Sequence, residues 1–382
     1  MKRICCIALI AMAALPSVAY GYGEGADIPE GSRVIHLLTN EARTNTKEAL
    51  ANCGEACSEG LDCHQEVMDP VYWDDDLYRA AQFHASMLNA INKTDQTPCM
   101  QHNSPCTLKS NAASNFPNKC DGSPSCACEG GKASCDNQGT SASERVKMFS
   151  AGYSAENLAS TSSTPYGAFM LWLYENAKGD GCKWSMNNGH RFNIFSASKR
   201  VGVGYTDARE GMYYGITAQD FNSLAPEETP ALTSGAAYIE KGTLWFKTHY
   251  FAQTAAQKVT VTIDGVQSEL SKTRGTDLNG VYGSSSITEP AKCAEYFFES
   301  TDTSGVVTRF PTTGVLLYAC ETSWKGVGLP DNPGSGDDTD DAHSSSNSDC
   351  SLHAQNAPQG ALFGLFAILT GLLICLRRRK RT

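Results

Sequence analysis

Apolar residues between 77 and 91 recur at steps of four and three. Leu77, Ala81, His84, Leu88 and Ile91 fall on one helical face, the period of an amphipathic helix. Asp74, Asp75 and Asp76 stand just before it, where acidic side chains cap a helix and suit its dipole. A second helical run carries Val34, Ile35, Leu38 and Ala42, with Ser32 as its expected N-cap. Pro165 opens a third, with Phe169, Trp172 and Leu173 apolar, and proline suits a first helical turn. Val201 to Tyr205 and Met212 to Ala218 read as strands. Residues 31–222 therefore mix helix and strand. Periodicity fails between Asn103 and Ser143, where Cys, Gly, Asn and Ser dominate. A disulfide-stapled insertion at 103–143 is the expectation there.

From 233 to 322 the pattern changes to short β-rich runs. They are Thr243 to Phe251, Val259 to Ile263, Ala294 to Glu299, Val306 to Phe310 and Val315 to Ala319, punctuated by Asp264-Gly265 and Asn279-Gly280. Short strands at close spacing predict a β-sandwich of immunoglobulin-like kind. Cys293 and Cys320 are candidates to bridge it, although the Cys–Trp–Cys pattern of antibody domains is absent. Leu224 to Pro230, with its two prolines, marks the boundary between the regions. Residues 328–350 are Gly, Ser, Asp and Pro with almost nothing apolar, the composition of a disordered linker.

The ends carry targeting signals. Residues 1–20 read as a signal peptide: Lys2 and Arg3, an apolar run from Ile4 to Leu15, then Ser17-Val18-Ala19. Near the other end, 360–376 is an uncharged apolar segment at the short limit of a transmembrane helix. Arg377-Arg378-Arg379-Lys380-Arg381 follows, so 377–382 is expected to be a cytoplasmic tail with the rest of the chain outside.

Composition agrees with export. Of 16 cysteines, twelve lie between Cys53 and Cys320; an even number in an exported chain implies disulfides. Six fall between Cys99 and Cys135, where Cys126-Ala127-Cys128 also admits a zinc-site reading. The net charge of -10 argues against nucleic acid as a partner. No glycine-rich phosphate loop follows a strand, so no organic cofactor is expected.

Four polar residues carry the candidate chemistry: His102, Glu156, Glu175 and His190. They sit in Gln101-His102-Asn103-Ser104, Ala155-Glu156-Asn157-Leu158-Ala159, Trp172-Leu173-Tyr174-Glu175 and Gly189-His190-Arg191-Phe192-Asn193-Ile194, ahead of Val201-Gly202-Val203-Gly204-Tyr205. In that order the motifs resemble the CAP superfamily, the SCP-like extracellular proteins, in its bacterial branch. Asn40-Glu41-Ala42-Arg43 and the Leu77 to Leu88 helix also stand where that family has its first two helices. The resemblance covers residues 31–222. It implies an α+β fold: an α-β-α sandwich with the four residues converging in one cleft, here followed by the all-β sandwich, the stalk and one C-terminal transmembrane helix. Two departures stand out: one extra residue between His102 and Ser104, and the Cys-rich insertion after them. His84 competes with His102, though its helix face reads as core.

Family members bind zinc or magnesium at the two histidines, so the resemblance implies His102 and His190 as metal ligands. Glu156 and Glu175 would complete the site or orient the imidazoles. The expected function is a secreted or cell-surface binding module for a lipid, glycan or protein; the alternative is an extracellular metal-dependent hydrolase using the same tetrad. A third reading makes the tetrad mere scaffold in a surface-layer component. No Ser or Cys nucleophile pattern and no H-E-x-x-H helix appear, so a binding role is favoured over an enzyme. The C-terminal layout, with Cys350 ahead of the span and basic cluster, resembles bacterial sorting signals of the MYXO-CTERM type. Removal of the tail near Cys350 is what that implies.

Overall fold

The computed structural model describes residues 28–50, 67–92, 99–161, 164–174, 189–206, 215–320 and 324–325. All of them fall within one compact unit, Met1–Leu329. Glu175, the signal peptide, the 328–350 linker, Cys350, the 360–376 span and the basic tail lie outside the described residues. Among the described residues no helix is long and apolar enough to cross a membrane.

The order of elements is α1 (Glu30–Thr44), α2 (Thr46–Ala49), β1 (Tyr72–Trp73), α3 (Asp75–Ile91), α4 (Ala112–Asn115), α5 (Pro124–Ala127), α6 (Ala142–Lys147), β2 (Ala155–Thr161), α7 (Pro165–Tyr174), α8 (Gly189–Ile194), β3 (Arg200–Tyr205) and β4 (Gly215–Asn222). The β-rich part adds β5 (Leu232–Glu240), β6 (Thr243–Phe251), β7 (Ala256–Ile263), β8 (Val266–Glu269), β9 (Ser271–Gly275), β10 (Asn279–Ser284), β11 (Ala294–Asp302), β12 (Val307–Phe310), β13 (Val315–Tyr318) and β14 (Trp324–Lys325).

The first sheet runs β1-β3-β4-β2 and is covered on both faces. Helix α3 lies on one side. Its residues Ala81, Ala85 and Leu88 share a core with Leu158, Ile216 and Ala218. Asp74 caps it, its Oδ1 accepting from the Leu77 N–H at 2.9 Å. The Val-Gly-Val-Gly strand is explained by this contact. A Cβ at Gly202 would stand 2.0 Å from the Tyr78 nitrogen, and one at Gly204 2.3 Å from the Ala81 carbonyl carbon. Only glycine lets β3 approach the α3 backbone so closely. The other face carries α1, α7 and α8, whose Leu38, Trp172 and Ile194 pack with Val201, Val203 and Phe221. Helix α1 starts earlier than its expected Ser32 cap, because Pro29 supplies the turn and Ser32 is buried within the helix.

The β-rich part is two packed sheets, β5-β6-β10-β9 and β14-β13-β11-β7-β8, with β12 paired to β11. Phe246 and Tyr250 of the first share a core with Val261, Tyr296 and Phe298 of the second. Cys293 and Cys320 form a disulfide. Strand β5 has no clear signature in sequence. It is buried on both faces and built from small residues; a Cβ at Gly235 would meet the Phe298 ring at 2.8 Å. Residues 223–231, the expected boundary, carry no helix or strand.

That boundary does not separate the two parts in space. All but one of the 15 residues of α1 are buried, because the helix lies between the first sheet and the β5-β6 face. Odd residues of β6 point to α1 while even residues fill the β-sandwich core. Lys247 bonds Glu41 at 3.2 Å and Glu240 at 3.2 Å, with its ammonium over the Trp245 and Tyr238 rings. His249 holds Thr233 at 2.7 Å and Thr44 at 2.9 Å. Asn40 reaches the Val71 carbonyl and Thr233. Arg43 donates to the carbonyls of Asp69, Ile194 and Ser196. The Asn-Glu-Ala-Arg run of α1 is thus a set of ties in several directions.

Two predictions follow from this interface. Lys247→Ala takes the shared cation from Glu41 and Glu240 and leaves Glu41 only Arg274 at 4.0 Å; it is expected to cost about 2–4 kcal/mol in denaturant unfolding. His36 and His249 are buried neutral at the same layer; burial pulls His36 down to about 4 and His249 down to about 3. The unfolded chain takes up these protons near pH ~6.5 while the folded chain resists. Stability should therefore fall as pH drops from ~6.5 toward ~4, by up to about 1.4 kcal/mol per pH unit for each histidine. Urea titrations of wild type and His249→Gln, compared across that window, should show a shallower slope in the variant.

Candidate functional site

Strand β2 is the edge of the first sheet, and it sends alternate side chains to opposite faces. Glu156 and Leu158 face α3; Asn157 and Ala159 face α1 and α8. The candidate residues are arranged around this edge.

On the α3 side Glu156 is fully enclosed, its side chain 0% exposed. One carboxylate oxygen meets His102 Nδ1 at 2.8 Å, and the other pairs with the buried Arg145 guanidinium. Arg145 also donates to the His102 carbonyl at 2.7 Å and reaches Ser104 Oγ at 3.5 Å. The extra residue between His102 and Ser104 is therefore accommodated: both ends of the turn are held by one arginine. Arg145 itself comes from α6, which a capping box of Ser141 and Glu144 starts. Directly across the ladder from Glu156 is Asp220 of β4, also buried.

These groups set one another's charge. Burial pushes the Glu156 carboxyl up, but Arg145, then His84 and His102, outweigh it and hold it down at about 2. Burial and the Glu156 charge hold Asp220 well above the usual carboxylate range. Neither Asp220 oxygen has a hydrogen-bond partner. His84 is pulled down to about 3 by burial and then by Arg145, and its Nε2 meets the Gln101 carbonyl at 3.0 Å. It lies fully buried in the α3 core face, as its helical position implied.

His190 comes to the other side of β2. Its carbonyl accepts from Asn157 Nδ2 at 3.2 Å, and its ring centroid lies 6.3 Å from that of the buried Trp172. The rest of its motif positions α8. Arg191 bonds the last carbonyls of α7, Leu173 and Tyr174, at 2.6 Å each. Asn193 ties the Asn157 side chain and the Glu156 carbonyl to the helix. The structure thus brings His102 and Glu156 into direct contact and sets His190 across the same strand. Glu175, the residue after Tyr174, is outside the described residues.

The zinc reading of Cys126 and Cys128 does not hold. Cys126 bonds Cys120 and Cys128 bonds Cys106, with Cys99 to Cys135 closing the insertion. Cys120, Asp121 and Cys126 do cluster, but both sulfurs are spent in the disulfide.

Sequence reasoning missed Arg145 and Asp220. Arg145 has no motif of its own. Asp220 is a charged residue in a strand that is buried along its whole length, where a polar group marks a site to inspect.

Arg145→Met should remove the buried cation paired with Glu156, costing about 3–5 kcal/mol. Asp220→Asn should act in the opposite sense. An acid raised in the folded state opposes folding once the unfolded carboxyl ionises above about pH 4. The variant is therefore expected to be more stable than wild type at pH 7, with the gain shrinking at pH 4; urea midpoints at the two pH values check this.

Residues 38–221 match the family model "CAP: Cysteine-rich secretory protein family". No curated protein matches the chain. Among solved structures, the spore cortex lytic enzyme SleM of Clostridium perfringens aligns at 12% identity and a TM-score of 0.17, over 31% of this chain and 38% of that one. The chain thus spans well under half of that enzyme. Residues 38–221 are a CAP domain, of the cysteine-rich secretory protein family.

Proposed function

We propose that the chain is an exported binding protein whose CAP domain takes up a lipid, glycan or protein ligand at the His102–His190 edge, with a divalent ion such as zinc in the site. The observation that carries this reading is the chain Arg145–Glu156–His102. Glu156 is ionised, so it can only accept, and Nδ1 of His102 carries the proton. That turns Nε2 outward on a side chain 54% exposed. An imidazole oriented by a carboxylate through its other nitrogen is the usual arrangement of a metal-ligating histidine.

In this reading His102 and His190 would be the ligands, Glu156 the orienting partner behind His102, and Glu175 the remaining oxygen donor on sequence grounds. A bound ion would supply Lewis acidity toward a carbonyl, phosphate or carboxylate of the ligand. The hydrolase reading is less well supported. A general base works best with a pKa near the operating pH, whereas Glu156 is held at about 2 with both oxygens engaged.

Four disulfides among the described residues support an oxidising, extracellular location. The strand orders β5-β6-β10-β9 and β13-β11-β7-β8 correspond to A-B-E-D and G-F-C-C′, which supports the immunoglobulin-like reading. Such a module would serve as the platform for the CAP domain. The tail from Cys350 onward would sort the chain to the cell surface and be removed near that cysteine.

Zinc titration of wild type, His102→Ala, His190→Ala and Glu156→Gln tests the site. Wild type should bind one ion, the histidine variants should lose it, and Glu156→Gln should bind about 10–100-fold more weakly. Absence of stoichiometric metal in wild type, or equal affinity in His102→Ala, would refute the metal reading.

A further inference from the structure

The outer stripe of α3 and the Cys-rich insertion enclose a cavity of about 530 Å³, a volume in the range of small-ligand sites. On the helix wall Asp75, Tyr78, Gln82 and Ser86 recur at helical spacing; Phe116 faces them from the insertion. His102, Glu156 and His190 take no part in it.

The walls are held rigidly. Cys120–Cys126 and Cys106–Cys128 lock the insertion on itself. Gly122, at φ +89°, brings it against α3, where a Cβ would stand 3.1 Å from the Phe83 carbonyl oxygen. The Phe116 ring packs edge-on against Phe83 at 5.5 Å. Arg79 ties the two sides together, donating to the carbonyls of Ala113 at 2.8 Å and Phe116 at 3.0 Å. Such a cavity is preformed, so a ligand need not order its walls.

The chemistry of the walls narrows what would fill it. Acidic side chains and the Arg79 guanidinium line it together, so neither an anion nor a cation is favoured as a class. An acyl chain would bury these polar groups without partners, at a cost in free energy. A neutral ligand with hydrogen-bonding groups of its own avoids both penalties, and α3 offers it fixed partners. The Gln82 amide is oriented by its Oε1, which accepts from the Tyr205 N–H at 2.9 Å, while its Nε2 donates to Ser86 Oγ at 3.3 Å. Ser86 then keeps its own hydroxyl proton to give. Asp75 accepts from the Trp73 indole through Oδ1 at 2.9 Å, and its second oxygen stands as a further acceptor.

From Asp75 to Ser86 the helix rises about 16 Å, with the half-buried Tyr78 between them and Phe116 on the opposite wall. Rings beside fixed donors and acceptors suit a sugar. The C–H groups of a pyranose face are apolar and slightly positive, matching the negative face of an aromatic ring. Its hydroxyls pair with carboxylate, amide and hydroxyl side chains. No strand lines the cavity, so it lacks the main-chain ladder by which sheet edges hold peptides.

We propose that this cavity is a second binding site, for a short neutral oligosaccharide lying along α3. Tyr78 and Phe116 meet its sugar faces, and Asp75, Gln82 and Ser86 its hydroxyls.

Cellotriose, maltotriose and triacetylchitotriose are the probes, titrated calorimetrically into the purified full chain, with a neutral Gly-Ser-Tyr peptide as the competing class. Wild type should bind at least one of the sugars, more tightly than the peptide, and with an affinity that holds between about 0.1 M and 1 M sodium chloride because no charge pairing is involved. For that sugar, Tyr78→Leu and Asp75→Asn/Ser86→Ala should each weaken binding about fivefold or more. Asp75→Asn keeps an acceptor oxygen for Trp73, so the double variant should fold; matching thermal melts verify it, and it decides the matter if Tyr78→Leu does not fold. His102→Ala should leave sugar binding unchanged, which separates this cavity from the His102–His190 edge. No sugar bound by wild type, tighter binding of the peptide, affinity that falls with salt, unaltered binding by a folded variant of the cavity, or loss of binding in His102→Ala would each overturn the proposal.

Discussion

Helix α1 has almost no face left for water, and much of the molecule is organised by that constraint. A helix buried all round must find partners for every polar side chain it carries. In α1 those partners come from four directions. Asn40 serves the loop before β1 and also β5; Arg43 serves the segment after α8; Glu41 meets Lys247; Thr44 meets His249. The CAP domain and the β-rich part are therefore halves of one buried layer, joined by charged and polar contacts that must form together.

The same logic of compulsory pairing shapes the candidate site. Glu156 and Asp220 face each other across a β-ladder, both buried, and the Arg145 guanidinium pairs with Glu156. One cation cannot balance two carboxylates, so the pair divides: Arg145 holds Glu156 low, while burial and the Glu156 charge raise Asp220. The consequence reaches the surface through His102, whose ring orientation is set by the ionised member. The orientation of the half-exposed His102 ring is thus tied to the buried Arg145 through Glu156.

Parts of this were readable along the chain. The 3.6-residue period placed α3, and Asp74 stands where a cap was expected. Pro165 opens α7, and Thr243 to Phe251 is β6. Strands β5, β9 and β10 escaped notice because their alternation is blurred. A strand buried on both faces has no polar side, and Asn279-Gly280 looks like a turn although it begins β10. Arg145 was invisible for a related reason: its partners lie on β2 and in the His102 turn, and no local period connects them.

The sequence alone determined the elements whose signal is local: helical periods, the cap of α3, the glycines of β3, and the cysteine-rich insertion. It also placed His102, Glu156, Glu175 and His190 in an order that a family resemblance could interpret. Tertiary structure decided what depends on distant neighbours: which cysteines pair, that Glu156 is shared between His102 and Arg145, and that α1 belongs to two sheets at once. Burial and charge are properties of a neighbourhood, and a neighbourhood exists only once strands from far apart in the chain have come together.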